Sequence, residues 1–410
     1  MAIQERPSAP KVLMLAWEFP PRSVGGVASH VSELSLALAK LGAEVDVITA
    51  HVHGYDLPEQ LWPPKGEDQP GRLVVYRALP DPISPMDFIT SVFQLNFGLL
   101  QQHLAGGRSY DLIHAHDWLV AQATWALKQG LKLPLVATIH ATEYGRQPGS
   151  QGPLQSYINA NEWLLTYEAW HVICPSDFMA DEVKRLHSVP NDKISVIPNG
   201  IEHARLEAPP AEQASLEKFR GRWAAPDEKI VLFVGRMARE KGASVLIEAA
   251  PRVLSAWPKA KFILVGGGAT GQLQGQVNAL GVGNRVTLTG FVPEEELHKL
   301  YMVADVAVFP SLNEPFGRVA QEAMALGTPV VTSDVGGLKE VVRHGENALQ
   351  TWAGDPDSLT WGILEVFNKP EEAAQRARVA LAEARENFTW EKVARQTLTV
   401  YNKLLEKARQ

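Results

Sequence analysis

Cysteine is almost absent: Cys174 is the only one in 410 residues. A lone thiol excludes an internal disulfide and a thiolate metal cluster, and its place in the apolar run His171-Val172-Ile173-Cys174-Pro175 predicts a buried structural group. Long apolar runs are missing as well. No stretch of about 18 apolar residues occurs, and the opening MAIQERPSAPK has no apolar segment of the signal-peptide kind, so the expectation is a cytoplasmic chain without a stable membrane anchor. Positive charge is scarce relative to negative. Lys and Arg number 39 against 46 Asp and Glu, a net −7, and residues 1–200 hold 14 basic and 20 acidic groups, or −6. That sign argues against nucleic acid and anionic lipid as partners and makes a lipid-linked acceptor a poorer fit than a neutral or soluble one. Low-complexity tracts and short tandem repeats are lacking too.

What the chain does contain is an alternation. At 410 residues with 45% hydrophobic content, 32 Gly and 28 Pro, it is too long for one core and suggests two α/β domains. Strand-like apolar runs alternate with helix-period segments throughout, the pattern of parallel α/β architecture. The first half reads as strands at 11–16, 44–49, 72–77, 112–116, 134–140, 171–175 and 194–198, with a helix over 29–41 whose stripe is Val31, Leu34, Leu38 and Leu41. A second start follows near Lys229: strand 230–234, a polar turn over 235–242, then helix 243–254, which Pro251 should kink or end. Strands at 261–265, 285–290, 306–310 and 329–333 and a helix at 293–304 complete that half. The Ala-, Pro- and charge-rich stretch 202–227, with a short helix at 212–223, marks the boundary, giving domains 1–205 and 206–388.

Asn313-Glu314-Pro315-Phe316-Gly317-Arg318-Val319-Ala320-Gln321-Glu322 places two carboxylates eight positions apart where a strand ends and an Ala/Met/Leu-rich helix begins. The backbone N–H groups of Phe316, Gly317 and Arg318 then point at a site for an anion, framed by acids that suit vicinal hydroxyls, a combination matched to a diphosphate-linked sugar. Alone, such a pair also describes a capped surface helix with two solvated glutamates. Gly266 to Gly271 fits G-x-G-x-x-G after a strand, but the next strand ends Thr289-Gly290-Phe291 without the acid that a ribose diol needs; the glycines read better as a turn beside a nucleotide. The pairs His114/His116 and His51/His53 have no third ligand adjacent in sequence, and Asp355-Pro356-Asp357 reads as a helix cap rather than a metal motif.

Three further turns point the same way. Pro20 to His30 carries Gly25-Gly26, where a backbone can approach a phosphate with no Cβ in the way; Gly235 to Gly242 puts Arg236 and Lys241 at a strand end; and Thr138 to Arg146 puts His140 at another. Singly, these are turn glycines, a solvated lysine and a capping histidine. Together, the segments GGVASHV, HAHDWL, TIHATEYGR, VIPNGI, VGRMAREKG and EPFGRVAQEAMALGTPVV resemble the retaining glycosyltransferases of the two-Rossmann-domain GT-B type, most closely the glycogen and starch synthases, over nearly the whole chain. The resemblance implies an α/β GT-B fold with two parallel-sheet domains facing a central cleft and a terminal helix, 389–410, crossing back to the first domain.

Site roles follow from the same resemblance. Arg236 and Lys241 would hold the donor diphosphate and stabilise the leaving oxygen. Gly25 and Gly26 would approach that diphosphate, Glu322 the ribose, and Glu314 with the Phe316 and Gly317 N–H groups the sugar, beside Arg318. His140 would contact the sugar as well, while Asp117, Trp118, Glu143 and Tyr144 are candidate acceptor contacts, Trp118 being open to a core role instead. No protein nucleophile, metal or other cofactor is implied. The larger bacterial synthases carry Lys before the first paired glycines; Arg22-Ser23-Val24 stand there instead, so that lysine's contact does not transfer. The implied reaction moves glucose from ADP-glucose or UDP-glucose to an α-1,4-glucan, with synthesis of maltose 1-phosphate or another small-acceptor transfer as the alternative. A sugar-nucleotide 2-epimerase or a non-catalytic sugar-binding module stands further off. Base preference, chain length of the acceptor and oligomeric state are not encoded in any of these motifs.

Overall fold

The structure is a computed structural model and describes residues 9–78, 87–147, 149–150, 152–201 and 213–410. It divides into two compact units: the chain up to Gly200 with Trp390–Gln410, and Ile201–Thr389. The expected boundary at 205/206 lies outside the described residues, as does Glu212, where the expected short helix starts; that helix is observed over Gln213–Arg220.

In the first unit, β1 (Lys11–Leu15), β2 (Glu44–Thr49), β3 (Glu59–Trp62), β4 (Arg72–Arg77), β5 (Leu112–His116), β6 (Leu135–Thr138), β7 (His171–Cys174) and β8 (Ile194–Val196) form one sheet in the order β3-β4-β2-β1-β5-β6-β7-β8. Every pairing is parallel except β3 with β4. Alternate side chains of each strand feed opposite faces. Val12, Met14, Val45 and Val47 join Val31, Leu34 and Leu38 of the helix Gly26–Lys40 in one cluster, whereas Leu13, Leu15, Ile48 and Ile113 join Leu99, Leu127 and Leu165 in the other. Both faces are covered, which is why these strands read as continuous apolar runs. The terminal helix Trp390–Arg409 belongs to this unit, as expected. Its Trp390, Val393, Ala394, Tyr401 and Leu404 lie in the first cluster, and the Tyr401 hydroxyl is 2.6 Å from Nδ1 of buried His114.

In the second unit, β9 (Lys229–Val234), β10 (Ala260–Val265), β11 (Val286–Gly290), β12 (Val306–Phe309), β13 (Val330–Ser333) and β14 (Leu349–Thr351) lie in the order β11-β10-β9-β12-β13-β14, parallel throughout. In both sheets the strand order reverses once, between β1 and β5 and between β9 and β12. Connections leave such a point in opposite directions and open a crevice at the strands' carboxyl ends, the place where open α/β sheets bind ligands.

Local departures from expectation have physical causes. The first helix begins at Gly26, three residues before the expected Ser29, because the Glu18 carboxylate accepts from the N–H groups of Val24 and Gly25 at 2.5 and 3.2 Å and satisfies the chain at the helix entry. The helix Ala243–Ala256 runs through Pro251; its buried face of Val245, Leu246, Ala249, Ala250 and Val253 outweighs the one hydrogen bond that proline removes. The helix Phe88–Gly106 was not expected: Phe88, Phe93, Phe97 and Leu104 point outward and blur its period. Loss of the Tyr401 hydroxyl in Tyr401→Phe should leave the buried His114 nitrogen without its partner and destabilise the chain by about 1–3 kcal/mol. Urea unfolding measures this, and an unchanged midpoint would show that apolar contact alone holds the terminal helix.

Candidate functional site

In the second unit, the crevice between β9 and β12 is built from the turn after β9 and the loop after β12. Lys241 and Glu314 meet there: Nζ donates to Oε2 at 2.8 Å, and the Ser311 hydroxyl donates to the same oxygen at 3.2 Å. The N–H groups of Leu312 and Asn313 donate to the Glu240 carbonyl, tying the two segments together. Glycine is obligatory at two contacts. A Cβ on Gly242, at φ +71°, would lie 1.8 Å from the Pro310 carbonyl oxygen, and one on Gly336, at φ +52°, 2.1 Å from that of Glu314. Gly337 N–H also donates to the Glu314 carbonyl, so both the backbone and the side chain of Glu314 are fixed.

The helix that follows β12 spans Arg318–Ala325, with Gly317 as N-cap at φ 97° and Phe316 buried in the core beside it. Glu322 is oriented by two neighbours, Arg318 Nε donating to Oε1 at 3.0 Å and the Tyr301 hydroxyl to Oε2 at 3.4 Å. Arg236 differs from Lys241: its guanidinium is half exposed and pairs with Glu240 at 2.8 Å. The glycine-rich turn after β10 packs on the Arg236 segment, Met237 N–H donating to the Gly267 carbonyl at 2.7 Å, and a Cβ on Gly266 would meet the Gly235 oxygen at 1.9 Å. Close backbone packing therefore accounts for Gly266.

In the first unit, the crevice between β1 and β5 carries Gly25, Asp117 and His140. Gly25 is extended, φ −155°, and a Cβ there would meet only Glu18 Oε1 at 3.8 Å; neither strain nor packing within the unit calls for glycine. Asp117 has a positive φ of 59°, rare outside glycine, and its Oδ1 accepts from His140 N–H at 2.8 Å. Burial pushes its carboxyl up to about 6, opposed by Arg146 and the His140 and Ala141 N–H groups. Asp117 is thus a positioning group for His140. Glu18 is raised too, mainly by burial, with its two N–H donors pulling it back.

Three histidines converge here. His116 Nδ1 is 3.2 Å from His140 Nε2, His30 lies edge-on to His140 at 4.5 Å between centroids, and His30 Nδ1 is 2.7 Å from Asn199 Oδ1. Among the described residues, His30, His116 and His140 are the one group with ligand atoms close enough, within 4.8 Å of one another, to hold a metal ion. Sequence spacing paired His116 with His114, and His51 with His53, and placed His140 at a separate strand end, but did not bring the three together. His30 comes from a helix more than 80 positions earlier and stands four residues before Leu34 on that helix's apolar stripe, so its inward orientation was readable but its meeting with His116 and His140 was not.

The expected acceptor groups divide. Tyr144 is 42% exposed, with Arg185 over its ring at 4.8 Å. Glu143 is buried in the short helix Glu143–Arg146, beside Arg146 at 3.6 Å. Trp118 is 4% exposed and met edge-on by Phe88 and Tyr157, so its core role, left open above, is the one the structure shows. Asp355 caps the helix Pro356–Asn368, accepting from Asp357 and Ser358 N–H groups. Glu18 in the first unit and Glu240, Tyr301, Ser311 and Gly336 in the second fix these crevices and were missed: Glu240, Tyr301 and Gly336 act across distant segments, and Glu18 and Ser311 through loop contacts that leave no periodic signal.

Residues 24–205 match the model of glycosyltransferase family 4, and residues 216–382 that of group 1 glycosyl transferases. Over 97% of the chain and 99% of the relative, it is 38% identical to an uncharacterised glycosyltransferase of Methanocaldococcus jannaschii. It is 34% identical to the glycogen synthase of Mycobacterium tuberculosis, over 95% and 94%, and 31% identical to a D-inositol 3-phosphate glycosyltransferase of Xylanimonas cellulosilytica, over 96% of each. Among solved structures, a sucrose-phosphate synthase from Thermosynechococcus elongatus aligns with a TM-score of 0.82 at 27% identity, covering 97% of this chain and all of that one. No helix among the described residues is long and apolar enough to cross a membrane.

The buried imidazoles set a pH dependence. Burial first, then the neighbouring histidines, holds His114 and His116 well below 6.5, so below that pH the unfolded chain binds protons that the folded one refuses, and stability present above it is lost. Asp117, at about 6 folded against 3.8 unfolded, acts oppositely, and Glu18 with it, but the two imidazoles dominate just below neutrality. The urea midpoint should therefore fall between pH 7.5 and 5.5; a rise would contradict neutral buried histidines.

Proposed function

The chain belongs to the GT-B glycosyltransferases, close to the glycogen and starch synthases, and on that footing we propose that it transfers glucose from ADP-glucose or UDP-glucose to the non-reducing end of an α-1,4-glucan with retention of configuration. The observation that carries this reading is the Lys241–Glu314 pair at the β9/β12 crevice, supported by the glycogen synthase relative. A cation beside a helix N-terminus fits a diphosphate, and a carboxylate fixed at both backbone and side chain fits sugar hydroxyls.

In the proposed reaction the bond from the anomeric carbon to the phosphate oxygen breaks while the acceptor hydroxyl attacks from the same face. Its proton passes to the leaving phosphate. Lys241 and Arg236 offset the charge that develops on that phosphate. Glu314, with the Phe316 and Gly317 N–H groups, holds the sugar and faces the positive charge at the anomeric carbon. Glu322, preset by Arg318 and Tyr301, takes the ribose diol. Gly25 and Gly26 leave room for the diphosphate, and His140 contacts the sugar from a strand end fixed by Asp117. Tyr144 and Glu143 are the remaining acceptor contacts. No nucleophile and no metal is required, so EDTA should leave activity intact.

A second reading has an observation of its own: with Trp118 buried, Tyr144 is the one exposed ring of the expected acceptor set. That favours a small acceptor such as glucose 1-phosphate, giving maltose 1-phosphate. Labelled ADP-glucose and UDP-glucose offered with glycogen, maltodextrin, glucose 1-phosphate or no acceptor distinguish the two. An elongated glucan supports the first reading, a phosphorylated disaccharide the second, and nucleoside diphosphate release with an altered sugar and no acceptor would indicate an epimerase. Lys241→Ala should slow transfer by about 10²-fold or more. Glu314→Ala should chiefly lower kcat, and Glu322→Ala chiefly raise KM for the donor; full activity in both Lys241→Ala and Glu314→Ala would refute the site.

A further inference from the structure

At the carboxyl edge of the second unit's sheet, the ends of β13 and β14 and the start of the helix Pro356–Asn368 enclose an open cavity of about 590 Å³, within the range of roughly 300–1,000 Å³ usual for ligand sites. Its lining includes Trp352, Trp361, His344, Gln350, Asp334 and Asp355. None of the site roles above uses these residues.

The tryptophans are the unusual part. Trp352 directly follows β14 and is 70% exposed, and Trp361 is 46% exposed, although large aromatic rings ordinarily find cover. Trp361 is backed by the His344 ring, 6.0 Å away and inclined by 23°. His344 is in turn oriented by Gln350 N–H, which donates to Nδ1 at 3.0 Å, so the neutral ring carries its proton on Nε2 and can donate from there. Ser358 Oγ accepts from Trp352 N–H at 3.0 Å, and Asp355 holds the helix start through Asp357 and Ser358. On the other side Asp334 N–H donates to the Thr351 carbonyl at 2.9 Å. The platform is thus held by hydrogen bonds from both flanks while its rings face solvent.

Chemistry narrows the ligand. The lining has two carboxylates and neither Lys nor Arg, and the nearby Lys339 ammonium is taken by Asp334 at 3.3 Å, which disfavours phosphates and nucleotides. The acids do not form a metal site, since the one candidate metal group among the described residues lies elsewhere. Exposed aromatic faces interleaved with carboxylate, amide and imidazole groups suit an uncharged polyhydroxylated ring, whose C–H face stacks while its hydroxyls bond at the rim. The cavity also shares an edge with the proposed donor site: β14 is two strands from β12, about 10 Å at the usual strand spacing.

We propose that this cavity is a second carbohydrate site, which binds an α-1,4-glucan strand on the Trp352 and Trp361 faces and so retains a long acceptor near the sheet edge where transfer takes place. The inference rests on the glucan reading above for its choice of ligand. Multisite binding raises the effective concentration of a chain end without altering the chemistry, so the effect belongs in the KM for long acceptors.

The full chain titrated with maltohexaose, followed by calorimetry and tryptophan fluorescence, tests it. Trp352→Ala and Trp361→Ala should each weaken one binding component about tenfold, whereas Lys241→Ala and Tyr144→Ala should retain that component. In transfer assays Trp352→Ala should raise KM for glycogen about fivefold or more, with kcat on maltose unchanged. Trp352 is exposed enough for its removal to leave the thermal midpoint in place, which the same samples verify. Unaltered maltohexaose binding in both Trp variants would overturn the proposal, as would equally tight binding of cellohexaose. Should no donor and acceptor pair support transfer, the proposed function fails while a Trp-dependent maltohexaose component would still establish the site.

Discussion

The contact between Lys241 and Glu314 is the constraint around which the second unit's functional edge is organised. It joins the segments that leave two adjacent parallel strands, β9 and β12, at the point where the strand order reverses. The join is tight because two glycines permit it, Gly242 against the Pro310 carbonyl and Gly336 against that of Glu314. An ion pair with side chains 20% and 8% exposed gives little net stability, since desolvation offsets much of the attraction. Holding both charges at one crevice makes more sense as preparation for a ligand that replaces part of the water lost. The helix Arg318–Ala325, starting three residues after Glu314's proline, aims its first N–H groups at the same crevice.

The first unit solves a related problem with buried polar groups in place of an ion pair. Glu18 ties down the turn that ends in Gly25, and Asp117, in an unfavourable backbone conformation, ties down His140. Strain of this kind persists where surrounding structure fixes it and is concentrated at functional sites. Burial holds the His114 and His116 imidazoles well below their usual range, and His114 is engaged on both nitrogens by Tyr401 and Thr138, so these two rings place no fixed positive charge beside His140.

Much of this was legible in the sequence, and what escaped did so for identifiable reasons. Parallel strands covered on both faces announce themselves as apolar runs, so β1, β2, β4 to β7, β9, β10, β12 and β13 were found within a residue or two, as were β8 and β11. The half-exposed edge strand β3 and the three-residue β14 carry no such run. Glu314 stood out as one of two carboxylates eight positions apart between a strand end and a helix start, and Lys241 as a basic group in the polar turn after a strand. Their pairing across 73 positions is tertiary and had no local signal, and the same holds for His30 with Asn199 and Tyr301 with Glu322. Trp118 illustrates the limit: next to Asp117 it had the composition of a stacking platform, yet a small cluster with Val92 and Ile158 claims it. Of the cavity's solvent-facing rings, Trp352 precedes a Gly/Asp/Pro turn that reads as an ordinary helix start, and Trp361 lies in the helix that follows it.

The central claim is that Lys241 and Glu314 are paired to receive a ligand and not to hold the fold, with the lysine serving the diphosphate. Calorimetric binding of free ADP and UDP to Lys241→Ala and Glu314→Gln tests this most directly. The account predicts an asymmetric result: at least about tenfold weaker nucleotide binding for Lys241→Ala, and binding retained or tightened for Glu314→Gln, because the neutral amide no longer competes for the ammonium. Equal losses in the two variants, or undiminished binding in Lys241→Ala, would contradict it.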